Sequence, residues 1–232
     1  MTAAPVVPAL PRLTAFTGHS VRPRPRTRGW VHAALTPVVL AVGLVLVATA
    51  EAGSARAATA VFAASSVLLF AVSALYNLRP WEGAVGSWLQ RFDHANIYVL
   101  IAGSYTPIAV LLLSGGAVVT MLVLAWAGAA VGAVFRLGFP AAPRWATTGS
   151  YLLLGWVALA FAPQLVGAGH PAALALLASG GVLYSAGAVV YACKRPDPWP
   201  TWFGFHEIFH VFTIAAFVCH YVAASIATYQ LR

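Results

Sequence analysis

Charged residues are scarce in this sequence, and acidic residues are the scarcest of them. Only 8% of the 232 residues are charged, and 5 Asp and Glu stand against 13 Lys and Arg. Hydrophobic residues make up 61% of the chain, and the mean hydropathy is +0.83. This balance excludes a soluble globular domain. Cysteine is also rare, and the only two, Cys193 and Cys219, fall toward opposite ends of two predicted spans, so we expect no disulfide.

What the chain does contain is a series of apolar runs long enough to cross a bilayer, each of about 20 residues. They predict an all-α fold, a bundle of seven transmembrane helices. The runs lie near residues 30–49, 57–78, 94–113, 117–135, 147–166, 172–193 and 203–229. Residues 1–29 are rich in proline and arginine, which predicts a disordered cytoplasmic tail and not a cleavable signal peptide. The membrane domain is then residues 30–232.

The basic residues are distributed unevenly along the chain. Most of them precede span one or lie between spans two and three, four and five, or six and seven. The positive-inside rule then predicts a cytoplasmic N-terminus and a C-terminus outside the cell. The net charge of +8 comes mainly from these basic residues on the predicted cytoplasmic side, where anionic lipid headgroups would attract them. We therefore expect membrane lipids as partners and no nucleic acid. We expect a multi-pass protein of the cell membrane.

One motif carries the clearest chemical signal. The stretch His206–His210 reads His-Glu-Ile-Phe-His, which puts two imidazoles one helical turn apart at the predicted cytoplasmic end of span seven. By the same topology, Ser73 and Asn77 end span two and Asp93 begins span three, all in the inner leaflet. Imidazole and carboxylate are usual zinc ligands, so we predict a zinc site formed by His206, His210, Asp93 and Asn77. Asp93 would orient a zinc-bound water or take its proton.

Simpler explanations exist for the same residues. His206 and His210 can be hydrogen-bonded core histidines without metal, and Asp93 can be a residue at a helix N-terminus paired with Arg91. Ser73 and Asn77 can serve only to pack the end of span two. Three further histidines are better explained as structural or interfacial than as ligands. These are His32, His94 and His220.

The letters His-Glu-x-x-His also match the zinc metalloprotease pattern, in which the glutamate is the general base. An extended signature of that kind would need histidine at position 216, where this chain has Ala216. The protease interpretation therefore stays an alternative. Pore formation is the weakest alternative, because nothing in the sequence resembles a pore-forming toxin.

The sequence resembles the hemolysin III branch of the progestin and adipoQ receptor (PAQR) family, related to the adiponectin receptors. The resemblance is carried by the following motifs: Arg28–His32, Ser73–Asn77, Phe92–Tyr98 leading into Ala102–Pro107, and Gly204–His210 leading to His220. It implies zinc bound by histidines of spans two and seven, with the span-three aspartate at or near the metal. Where the family has histidine in span two, this chain has Asn77, an amide that binds zinc more weakly.

The resemblance also suggests what the protein does. The activity that it implies is zinc-dependent hydrolysis of a lipid amide or ester, as in ceramide hydrolysis, with Asp93 as the base that orients the water and Ser73 as a hydrogen-bond donor near the developing oxyanion. The alternative is a membrane-homeostasis or sensor protein without enzymatic activity, whose polar cluster or metal fixes the bundle.

Overall fold

The computed structural model describes residues 25–230. Within that range the chain is all-helical and has seven helices long and apolar enough to cross a membrane, which confirms the predicted fold class. We number them in chain order: α1 Trp30–Thr49, α2 Ser54–Leu78, α3 Gly83–Leu112, α4 Gly116–Gly138, α5 Arg144–Gly167, α6 Pro171–Cys193 and α7 Phe205–Gln230. Most of the predicted N-terminal tail, residues 1–24, lies outside the described residues.

The helices pack in sequence order, and α7 closes the bundle by contacting both α1 and α6. Helix α3 is the most buried and reaches α2, α4 and α7. The outer faces of the bundle carry exposed aliphatic side chains, for example Val131, Val134 and Leu153, which are 71%, 68% and 78% exposed. Such a surface is stable against lipid and not against water.

Two spans differ from their predicted form. Helix α3 begins at Gly83 and not at residue 94, because polar residues such as Gln90 and Arg91 lower the hydropathy of its first turns without opposing a helix. Helix α5 is interrupted after Gly155 by a short 3₁₀ segment, Val157–Phe161. The Tyr105 hydroxyl donates a hydrogen bond to the carbonyl of Gly155 at this break, so a backbone group released at membrane depth has a partner.

The segment before α1 is held against the loop before α7. The backbone N–H of Arg26 donates to the carbonyl of Thr201 at 3.0 Å, and that of Thr27 donates to Trp202 at 3.3 Å. These bonds join the segment that leads into α1 to the loop that leads into α7. They bring the first turn of α1 beside the first turns of α7, where the predicted site lies. Cys193 and Cys219 are both free, as expected.

Candidate functional site

Four of the predicted site residues line one cavity between α2, α3 and α7. Ser73, Asp93, His206 and His210 all contribute to it, and its volume is about 60 Å³. That is room for a few waters, since one water occupies roughly 10–15 Å³ by this measure. Ser73 from α2 and Asp93 from α3 both face this cavity. The structure therefore brings side chains of two consecutive helices, α2 and α3, together with two from α7, which is distant in sequence.

Asn77 lies one helical turn beyond this group and does not line the cavity. Its side-chain amide donates a hydrogen bond to the backbone carbonyl of Ser73 at 3.0 Å and a longer one to the Ser73 hydroxyl at 3.4 Å. The side chain is 3% exposed. Here the amide orients Ser73, so it acts on the cavity through its neighbour.

Sequence reasoning missed His32, which lines the same cavity from the first turn of α1. Its ring centre lies 4.1 Å from that of His210, edge to face. His206 and His210 are 4.4 Å apart in the same measure, so three imidazoles form a row. The signal that would have found it is topology, because the start of α1 lies at the same predicted depth as the start of α7.

His210 is at the centre of the row, and its environment is unusual. It is buried, and neither ring nitrogen has a hydrogen-bond partner among the described residues. Buried polar atoms are rarely left in this condition, so each case calls for an explanation such as a bound ligand or ion.

The position of His32 follows from the residues just before it. The Arg28 Nε donates to Glu207 Oε1 at 3.2 Å. Gly29 has a φ of +84° and lies against the end of α2, where an added Cβ would come 2.6 Å from the carbonyl carbon of Asn77. Only glycine fits this close approach with a left-handed backbone. The Arg28–Glu207 pair and Gly29 therefore fix α1 against α2 and α7.

The same contacts weaken the metalloprotease alternative. Glu207 is 1% exposed, and its second oxygen accepts the backbone N–H of Gly204 at 2.9 Å. With Arg28 on the first oxygen, this carboxylate caps α7 and holds the N-terminal segment. A general base must reach a water in the site, and Glu207 is not among the residues that line the cavity.

Asp93 does not lie at the start of its helix, so the dipole interpretation is wrong. Helix α3 extends back to Gly83, and Arg91 donates to the carbonyl of Leu137 at 3.2 Å instead of pairing with Asp93. The neighbour of the carboxylate is His94, whose Nδ1 lies 3.6 Å from Asp93 Oδ2. His94 also lines the cavity, although it projects from a different side of α3.

The donor set suits zinc, but the side chains are not arranged around one point. Among residues 25–230 no three His, Cys, Asp or Glu side chains already form a metal-binding group. Two imidazoles bound tetrahedrally to one zinc, at about 2.1 Å each, have ring centres about 5 Å apart. The ring centres observed here are closer, 4.1 Å between His32 and His210 and 4.4 Å between His206 and His210. Binding would require the rings to rotate and separate by about 1 Å.

An apolar cavity of about 80 Å³ adjoins the site. The two cavities share wall residues from five helices, among them Ile97, Tyr151 and Phe209. At its far end lies His220, whose Nδ1 is 3.3 Å from the Ser104 hydroxyl. A polar cluster that continues into apolar space is the arrangement expected for a ligand with a polar group and a hydrocarbon chain.

Comparison with known proteins agrees with this architecture. The family model described as Haemolysin-III related matches residues 21–221. The chain is 34% identical over 163 residues to the Hemolysin-3 homolog of Bacillus subtilis (strain 168), covering 68% of this chain and 73% of that protein. It is 31% identical over 177 residues to Hemolysin-3 of Bacillus cereus, covering 74% and 76%. The chain is therefore a multi-pass cell membrane protein that belongs to the haemolysin III group of the PAQR family.

Proposed function

We propose that this protein acts in membrane homeostasis as a zinc-dependent hydrolase of a lipid amide or ester. The observation that carries the proposal is the convergence of His32, His206 and His210 on a cavity shared with Asp93 and Ser73. The two ring nitrogens of His210, buried and without hydrogen-bond partners among the described residues, support a bound cation there.

The ligands that we propose are His206, His210 and His32, which takes the place predicted for Asn77, while Asp93 would lie beside the fourth position, which a catalytic zinc keeps for water. The Asn77 amide is directed at Ser73, whereas the His32 ring already contacts His210. Imidazole is also a stronger zinc ligand than a neutral amide oxygen. A first-turn residue of α1 would thus replace the span-two histidine implied by the family resemblance.

Each remaining side chain has a role that its position supports. A bound zinc would lower the pKa of a water molecule and so supply a nucleophile at neutral pH. Asp93 would orient that water and accept its proton, since its carboxylate lines the cavity. Ser73 would donate a hydrogen bond to the oxygen on which negative charge develops. The adjoining apolar cavity would hold the acyl chain.

A non-enzymatic sensor is the second candidate, and a specific observation favours it. The three imidazole rings pack directly on one another without the separation that one zinc requires. A cluster in this form would fix α1 against α7 and respond to the state of the bilayer by changing that packing.

Metal analysis of the purified protein tests the site. We expect about one zinc per chain in the parent, and a loss of more than half in His206→Ala and in His32→Ala. His220→Ala removes a buried imidazole outside the cluster and is the matched control, which should retain its zinc. If His32→Ala retains zinc and Asn77→His gains affinity, the span-two position is the ligand and His32 is not.

A separate experiment tests the reaction. Lipid amide and ester pools are compared in membranes carrying the parent or Asp93→Asn, which keeps the shape of the side chain but removes the base. We expect substrate to accumulate with the variant and its free fatty acid to fall. Unchanged pools, together with a membrane phenotype that still depends on the protein, would refute the enzyme and leave the sensor.

A further inference from the structure

A second polar cavity lies outside the histidine site, at the predicted cytoplasmic end of the bundle. Its volume is about 180 Å³, and three cations from separate parts of the chain line it. Arg28 precedes α1, Arg144 begins α5 and Lys194 follows α6. We call this cavity, with Asp197 and Phe205 in its wall, the basic vestibule.

The charges in the basic vestibule do not balance. Arg28 is paired with Glu207, and Asp197 accepts the backbone N–H of Phe205 at 3.1 Å. Arg144 lies over the ring of Tyr191, 5.3 Å from its centre. Among the described residues, no carboxylate lies within ion-pair distance of Arg144 or Lys194. Within residues 25–230, the three cations of the wall therefore stand against two carboxylates, Asp197 in the wall and Glu207 paired with Arg28, which leaves an excess of one positive charge.

The backbone N–H groups at the start of α7 are not available to bind an anion. Those of Gly204 and Phe205 already donate to Glu207 and Asp197. The positive charge of the basic vestibule comes from three side chains in separate parts of the chain, before α1, at the start of α5 and after α6. Its recognition of an anion therefore depends on the tertiary fold.

Lys194 occupies a backbone conformation that disfavours it. Its φ is +54°, and it is the only non-glycine residue with positive φ in the described part of the chain. It ends α6 in the left-handed conformation in which glycine is the usual residue. Residues held in such conformations concentrate at functional sites, and here the side chain reaches the basic vestibule.

Exposed tryptophans place the basic vestibule at the depth of lipid headgroups. Trp145, Trp199 and Trp202 lie within two positions of its wall residues in the chain, and they are 77%, 67% and 55% exposed. Tryptophan concentrates at the membrane interface, where an apolar ring meets polar headgroups. A ligand in this cavity therefore reaches it from the interface of the bilayer.

We propose that the basic vestibule binds the phosphate of an anionic lipid headgroup. Phosphate suits two cations with several N–H donors, and guanidinium binds it with two parallel hydrogen bonds. The site lies one residue from the histidine cluster, because Phe205 lines the basic vestibule and His206 lines the other cavity. Binding there requires neither zinc nor catalysis.

Native mass spectrometry of the purified full-length protein tests this proposal. The probes are phosphatidylglycerol and phosphatidylcholine with the same acyl chains, and inorganic phosphate in a separate arm. We expect phosphatidylglycerol to bind in preference to phosphatidylcholine. Arg144→Gln and Lys194→Gly should each reduce that preference about fivefold, the usual effect of one cation at an anionic surface.

Two controls keep the outcome decisive. Arg79→Gln removes another exposed arginine that lies over an aromatic ring, 4.8 Å from Trp81, and should retain the preference. Lys194→Gly places glycine at a left-handed position, so its melting temperature should not fall while lipid selectivity does. An equal loss in Arg79→Gln would overturn the proposal in favour of general surface charge. Inorganic phosphate that binds while phosphatidylglycerol shows no preference would overturn the lipid assignment.

Discussion

The Arg28–Glu207 pair gives the sharpest test of how the site is held together. Glu207→Gln keeps the size of the side chain but replaces a buried carboxylate that accepts from both Arg28 and the Gly204 amide. A hydrogen bond to a charged group contributes about 1.5–3 kcal/mol. Breaking a well-buried pair costs about 3–5 kcal/mol. Because the Arg28 side chain is 24% exposed, we expect the lower range, about 2–3 kcal/mol.

The assay is thermal unfolding of the purified protein in detergent. At about 2–4 °C per kcal/mol for a chain of this size, Glu207→Gln should lower the melting temperature by about 4–12 °C. Arg28→Met should cause a similar loss, and the double variant should lose less than the sum, which measures the coupling. A melting temperature unchanged in Glu207→Gln, with activity abolished, would refute the structural role and restore the general-base interpretation of the motif.

Two further predictions concern the start of α1 and the topology. Gly29→Ala should lower the melting temperature more than Gly53→Ala, since both positions have positive φ but only Gly29 has a backbone neighbour, Asn77, within 4 Å of an added Cβ; equal losses would show that the contact is unimportant. In whole cells an impermeant maleimide should not label Cys193, which is exposed and predicted to be cytoplasmic. It should label Glu51→Cys in a Cys193→Ser background, and the reverse pattern would invert the predicted topology.

The hydropathy of the chain determined its class and its number of helices. Seven apolar runs require seven spans, because a helix is the form in which an uninterrupted segment satisfies its own backbone in lipid. The start of α3 was predicted at residue 94 and lies at Gly83. Hydropathy locates the part of a helix that is in hydrocarbon and not the polar turns that extend it.

The sequence also grouped most of the site, since topology placed Ser73, Asp93, His206 and His210 at one depth. Depth alone does not say which side chains meet. Asn77 lies at the right level but turns to Ser73, whereas His32, which closes the Arg28–His32 motif and was expected to be structural or interfacial, lies against His210. Arg28 and Glu207, which hold α1 beside α7 for that contact, are 179 positions apart in the sequence.

The sequence by itself determined a seven-helix membrane protein with a histidine and carboxylate cluster near one end. Local pattern and hydropathy suffice for this, because each helix forms from its own residues. Only the tertiary structure decided the partners. The packing of α1 against α7 brought His32 to the cluster, and the approach of α5, α6 and the segment before α1 formed the basic vestibule from Arg28, Arg144 and Lys194. Such contacts depend on how helices pack, which the order of residues within any one helix does not specify.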